Sequence, residues 1–440
     1  MLFGRSILLL TLIFAVVASV SAGDSWPEWR GATGQGVSDV TDLPVAWGED
    51  ENMAWKTAIR GRGWSSPVIA DGKVWVTTAT HVPASKAEAI ERRKQSTNSL
   101  PMIVSNSATM FVVCLDLKSG ETLYEKELLS AKHPDMIYID NSYATPTPIV
   151  HGGHLYCHFG PYGMLCLDTA TLEIVWTNRT LDVKHENGPG SSPVLWNDLL
   201  IVHCDGVDQQ YIVAIDRHTG DEVWKTTRSG KLHENVQMRK SYSTPLVVGV
   251  AGQPQVISAA ADWVYGYEPT DGRELWKMAY GDLGFSNAAR PVAGHGLVYI
   301  CTGYMQSQLL AIRPGDATGR KSELAWRFTK QVPAVSSPLL VGNLLYMVSD
   351  KGIATCLDAR SGEMLWKERI GKNYWASPML ADGRIHFFDR DSTTTVIEPG
   401  RTFHKLAVNK LAGEQLATAA AVNGSLLVRT AEALYCLRDR

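Results

Sequence analysis

The sequence predicts an all-β fold: an eight-bladed β-propeller of four-stranded antiparallel blades, closed by an N-terminal strand that completes the last blade. Three observations predict it. A Ser/Thr/Ala-Pro step recurs mostly 40–52 residues apart, which is the length of one four-stranded blade. Each step is followed by two short apolar runs and a third run that ends in apolar-Asp, a Thr/Ser-Gly turn and a Trp. The last unit stops without its outer strand, and a matching strand stands near the other end of the chain.

The first element is a targeting segment. Arg5 precedes an apolar run from Ile7 to Val20, and Val20-Ser21-Ala22 offers small residues before Gly23. Residues 1–22 therefore read as a secretory signal peptide whose apolar core is short for a membrane span. Residues 23–52 form an N-terminal extension, and 53–440 form a single propeller domain. No Cys follows the cleavage position, so lipid attachment there is not expected, and no second stretch can span a bilayer. The expected location is the periplasm or the exterior.

The repeat carries the fold. Its third-run pieces are LDLKSGETLY (115–124), LDTATLEIVW (167–176), IDRHTGDEVW (215–224), YEPTDGRELW (267–276) and LDARSGEMLW (357–366), with a stretched version at 312–326 and a degraded one at 397–406. The openings lie at Pro67, Pro146, Pro193, Pro245, Pro291, Pro338 and Pro378, and an eighth, at 418–422, has lost its Pro. Runs such as KVWVTT, LLIVHC, LVYICT and RIHFFD are β-branched and aromatic and are bounded by turn residues, as hairpin strands are. Asp-x-x-Thr-Gly supplies a side chain that caps the turn and a residue free to take positive φ. The Trp after it is expected to pack across the gap to the neighbouring blade and to donate its N–H. For closure, Met53-Ala54-Trp55-Lys56-Thr57 matches Val223-Trp224-Lys225-Thr226, so the N-terminal strand completes the ring and leaves no open edge.

Residues 81–110 interrupt the first blade. Ala84 to Gln95 reads as a helix with a Ser85/Glu88 capping box, either a solvated excursion or a lid over one face. The seven Cys are expected to be small buried residues, because Cys114, Cys166, Cys356 and Cys436 share one third-strand slot in different blades. None of the twelve His has metal-ligand spacing. Net charge is −3, from 42 Lys+Arg against 45 Asp+Glu, and a nucleic-acid ligand is excluded for want of a basic surplus.

These residues resemble the pyrroloquinoline-quinone-like (PQQ-like) propeller repeat family. The apolar-Asp-x-x-Thr-Gly-x-x-x-Trp phrase is similar to the tryptophan-docking motif of quinoprotein alcohol dehydrogenases, and to that of the propeller lipoprotein of the outer-membrane barrel-assembly complex. Trp26-Pro27-x-Trp29-Arg30-Gly31 resembles the start of exported bacterial members. The resemblance implies the fold and is nearly silent on activity.

Function is expected where the loops entering the innermost strands and those joining second to third strands share one face, around the central channel. The candidate ligand-binding residues there are Asn141, Tyr143, His185, Glu186, Asn187, His203, Asp205, Lys240, Tyr242, Arg290 and Trp375. The favoured expectation is a monomeric, non-catalytic binding or scaffold propeller of the envelope, holding a partner protein or a small-molecule or carbohydrate ligand. The alternative is a PQQ- and Ca2+-dependent dehydrogenase of alcohols or sugars. There Glu186, Asn187 and Asp205 would supply oxygens and Trp375 a stacking plane. Against it, the adjacent-cysteine disulfide of many quinoproteins is absent and the chain is short for that group. The barrel-assembly role is disfavoured for want of a lipid-site Cys.

Overall fold

Strand pairing resolves into eight four-stranded antiparallel sheets, each the expected blade. The computed structural model describes residues 24–96 and 98–439; the expected signal peptide lies outside them. Blade one runs Val68–Ala70, Lys73–Pro83, Ser105–Asp116 and Thr122–Lys132 from the channel outward. Blade eight runs Ala420–Val422, Ser425–Arg429 and Ala433–Leu437, and its outermost strand is Met53–Ala58. Trp55 pairs with Cys436 and Ala58 with Ala433, so the ring closes as the sequence implied.

Burial explains the strand composition. Second and third strands are buried on both faces by the neighbouring blades, as in Leu199–Asp205 and Gln210–Asp216, and such strands read as unbroken apolar runs. Outermost strands face solvent and alternate; in Glu222–Thr227 only Trp224 is buried. The turns behave as predicted: Asp116 Oδ1 accepts from the backbone N–H of Lys118 and of Ser119, at 3.0 and 2.7 Å.

Each docking Trp reaches into the next blade. The indole N–H of Trp55 donates to Leu117 O at 3.0 Å, Trp176 to Arg217 O at 2.9 Å, and Trp224 to Pro269 O at 3.0 Å. The rings lie over the turn glycines: a Cβ on Gly120 would sit 2.4 Å from Trp55 Cδ2, so only glycine leaves room. Trp276 departs from the pattern. The following turn is the stretched one, and the indole donates instead to Gln255 Oε1 at 2.7 Å, whose amide donates to Gly315 O at 3.1 Å. All seven Cys are free and buried.

Two boundaries shift. The second and third strands of blade one stay paired out to Pro83 and Ser105, so the excursion is residues 84–104 and not 81–110. Its helix, Lys86–Lys94, is capped by Ser85, which accepts from Glu88 N at 3.2 Å. Blade two opens at Pro148 and not at Pro146, because its innermost strand is Ile149–His151.

The N-terminal extension is part of the propeller. Trp26 bridges to Ile69 of blade one, Pro27 O accepts from Val150 N of blade two, and Ser38 N donates to Leu380 O of blade seven. Between them, Arg30 Nη2 donates to Pro338 O of blade six at 2.8 Å and Gln35 Oε1 accepts from Ala293 N of blade five at 2.7 Å. This strap crosses the channel at the end away from the polar loops. Among the described residues no helix is long and apolar enough to cross a membrane.

Candidate functional site

The strand pleat and the proline step build the site. Three residues before the proline position of each blade come Trp64, Thr145, Gly190, Tyr242, Ala288, Val335, Trp375 and Leu416, and all eight line one cavity of about 580 Å3 at the channel mouth. The intervening residue of each step points away from the channel, since side chains alternate, and the residue just before the proline faces it again. That lower ring links blade to blade: Ser66 N donates to Thr147 Oγ1, Thr147 N to Ser192 Oγ, and Ser192 N to Thr244 Oγ1, each at 2.9 Å. On the far side, Arg290 N donates to Ser337 Oγ, Ser337 N to Ser377 Oγ, and Ser377 N to Thr418 Oγ1, at 2.9, 3.0 and 3.1 Å.

Blade five alone places Arg290 in this ring, and the exception has a structural cause. Its guanidinium reaches down to the strap, pairing with Glu28 at 2.9 Å and donating to Trp29 O at 2.6 Å. Trp29 then forms part of the cavity lining, so the cup is blind, closed by the strap behind it.

The rim comes from two excursions. Residues 98–100 of the blade-one arm lean over the cavity, held by the pairing of Met102–Ile103 with Ile137–Tyr138. Opposite, Gly284–Phe285 pairs with Tyr304–Met305. Leu100, Ile139, Tyr304 and Met305 are exposed on this face. Between the excursions Arg390 spans the mouth to Asp140, bidentate at 2.6 and 3.0 Å. The Arg390 bonds hold the Asp140 carboxyl below its ordinary range. The guanidinium also lies 5.5 Å from the Trp375 ring centroid.

Of the sequence candidates, Asn141, Asn187, Lys240, Tyr242 and Trp375 line the cup. Asn141 Nδ2 donates to Asn187 O at 2.7 Å, and Asn187 Oδ1 accepts from Asn98 at 2.7 Å. Lys240 Nζ donates to Gln237 Oε1 at 2.6 Å and lies 3.8 Å from Glu186 Oε2; burial draws its pKa down. Gln237 Nε2 donates to Glu186 at 2.6 Å, so the wall carries a closed Lys–Gln–Glu cluster. Arg290 sits below the cup as a strap anchor.

The remaining candidates sit between blades. His185 is buried against Tyr242, whose hydroxyl donates to His185 O at 2.6 Å, and desolvation takes its imidazole down to about 3. Tyr143 is buried, its hydroxyl donating to Asp135 O at 3.0 Å and lying 3.1 Å from Ser105 Oγ. His203 and Asp205 are fully buried, with Nε2 2.9 Å from Oδ2, and Arg228 donates from Nε to Asp205 at 3.1 Å and from Nη2 to His203 Nδ1 at 3.0 Å. Against the cost of burial, Arg228 and His203 keep the Asp205 carboxyl below its usual range. Arg228 also donates to Tyr267 and Ser258, which ties this trio across the gap between blades three and four.

The proposed quinone and calcium set does not assemble. Asp205 is committed to Arg228 and His203, Glu186 to Gln237, and Asn187 to Asn98. Trp375 stacks on Tyr138 at 6.4 Å with Arg390 also against it. Among the described residues no group of three or more His, Cys, Asp or Glu is placed to hold a metal ion.

Sequence profiles of the PQQ_2 family, described as outer membrane protein assembly factor BamB, match residues 98–261 and 260–431. The outer membrane protein assembly factor BamB of Yersinia pestis is 24% identical over 274 residues, covering 50% of this chain and 67% of that one. The crystal structure of BamB from Moraxella catarrhalis aligns with a TM-score of 0.53 at 12% identity, over 87% of this chain and 99% of that one. A europium-containing methanol dehydrogenase aligns with a TM-score of 0.53 at 13% identity, over 86% and 89%. Likeness at such identities speaks for the fold alone.

Proposed function

The chain belongs to the PQQ_2 propeller family, and we propose that it is a non-catalytic binding propeller of the cell envelope whose channel-mouth cup receives an apolar segment of a partner protein. Membership in a family described as an outer-membrane assembly factor supports the envelope setting. One observation carries the finer reading: the cup is blind and aromatic, and its charged and amide side chains already have partners. Asn141, Asn187, Gln237 with Lys240, and Asp140 with Arg390 bond to one another. Trp29, Trp64, Tyr242, Phe285, Tyr304 and Val335 are left as contact surface. A cup of this kind gains affinity by burying apolar area and gives little reward to a strongly hydrated ligand.

The test is site-specific photo-crosslinking in reconstituted outer-membrane assembly reactions. Crosslinkers replacing Leu100 and Tyr304 on the rim should label one partner polypeptide, and one replacing exposed Val223 on an outer strand should not. Equal labelling from all three positions would refute binding at the cup.

A further inference from the structure

Behind the cup, the strap holds a charge that nothing neutralises. Arg30 is fully buried, at 0% exposure, and in the left-handed region with φ 68°. Its Nη2 donates to Gln35 O and Pro338 O, at 2.7 and 2.8 Å. Its Nε and Nη1 are also buried and meet no acceptor among the described residues. Glu28, the carboxylate nearest on the strap, is paired with Arg290, and Arg290 is a second cation that repels Arg30. Burial and that repulsion together pull the Arg30 guanidinium down to about 9. The strap is shaped around both guanidiniums: a Cβ on Gly36 would lie 2.8 Å from Arg30 Nη2, and one on Gly34 2.4 Å from Arg290 Nη1.

Two guanidiniums against one carboxylate leave a net positive charge in a water-excluded channel end, and two N–H groups there lack partners. Buried charge without a counterion is strongly unfavourable, and each unmet donor adds to the cost. A water molecule would satisfy the donors and leave the charge. We propose that Arg30 Nε and Nη1 hold a small monovalent anion, chloride or one of its size, which completes the channel core. The site is separate from the cup and does not depend on what the cup binds.

Thermal unfolding of the exported chain tests this, with chloride varied against gluconate at fixed ionic strength. Because the anion binds only the folded state, Tm should climb by about 1–3 °C for each tenfold rise in chloride beyond half-saturation. Arg30→Met should abolish the dependence, whereas Arg60→Met, which alters an exposed arginine, should retain it. Crystals of the unaltered protein grown in bromide provide a readout that needs no variant, through an anomalous peak in contact with Arg30 Nε and Nη1. A Tm indifferent to chloride, a chloride dependence that survives Arg30→Met, or bromide crystals with no peak at Arg30 would each overturn the proposal.

Discussion

Replacing Gly120 by Ala isolates the energy of one docked tryptophan, because a second glycine in the same blade serves as its control. Gly120 and Gly72 have nearly the same backbone, φ +72° and +70°, so a Cβ costs each about 1–2 kcal/mol of left-handed strain. The surroundings differ. At Gly72 no atom lies within 4 Å of the new Cβ, whereas at Gly120 it meets Trp55 at 2.4 Å. Displacing the indole adds about 1–3 kcal/mol of overpacking and about 1 kcal/mol for the lost bond to Leu117 O. Gly120→Ala should therefore cost about 3–6 kcal/mol and Gly72→Ala about 1–2 kcal/mol. The assay is urea unfolding followed by Trp fluorescence, paired with hydrogen exchange. Because Trp55 lies on the closing strand, exchange should accelerate first in Met53–Ala58 and Ala433–Leu437. Equal losses in the two variants, or exchange that rises evenly around the ring, would refute the argument that indole docking locks the closure.

Three further outcomes follow from the same structure. Desolvation lowers buried His158 and His386 to about 4. The unfolded chain thus binds more protons below about pH 6.5, and stability should fall as pH drops from there toward 4, by about 3 kcal/mol per group. His386→Phe, between Trp47 and Phe388 at 5.9 and 6.3 Å, should flatten that acid slope in a pH series of melts at a cost below about 1.5 kcal/mol at pH 8. Asp205→Ala leaves Arg228 buried without its carboxylate and should lose about 3–5 kcal/mol by denaturant titration; a loss under 1 kcal/mol would contradict the buried network. Addition of PQQ and Ca2+ should give neither a stoichiometric quinone absorbance nor dye-linked oxidation of alcohols or aldose sugars, and turnover would restore the dehydrogenase reading.

What was legible in the sequence was what repeats locally. The Asp-turn-Gly-Trp phrase fixed the blades because its contacts span one hairpin and its neighbour, and the closing strand was found by matching Met53–Thr57 to its counterparts. At the register position before the proline, the cup wall was read only at Tyr242 and Trp375; Trp64, Thr145 and Val335 hold the same position but were passed over because polarity, not register, chose the candidates. Polarity misled at His203 and Asp205. A polar residue at a strand end can face the mouth or the next blade, and the Arg228 that decides between them lies 23 residues beyond Asp205. The strap showed as a motif at Trp26–Gly31 but not as a contact: Arg30 meets Pro338 across 308 residues, and no periodicity announces such a pairing.

The seam where Met53–Ala58 meets Ala433–Leu437 also orders events in time. The earliest-made part of the circle waits for the latest-made, so no partial product of translation can be a finished ring. Until that moment blade one lacks an indole over Gly120 and the third strand of blade eight shows a bare edge. Assembly is therefore slow to commit and all-or-none at its last step.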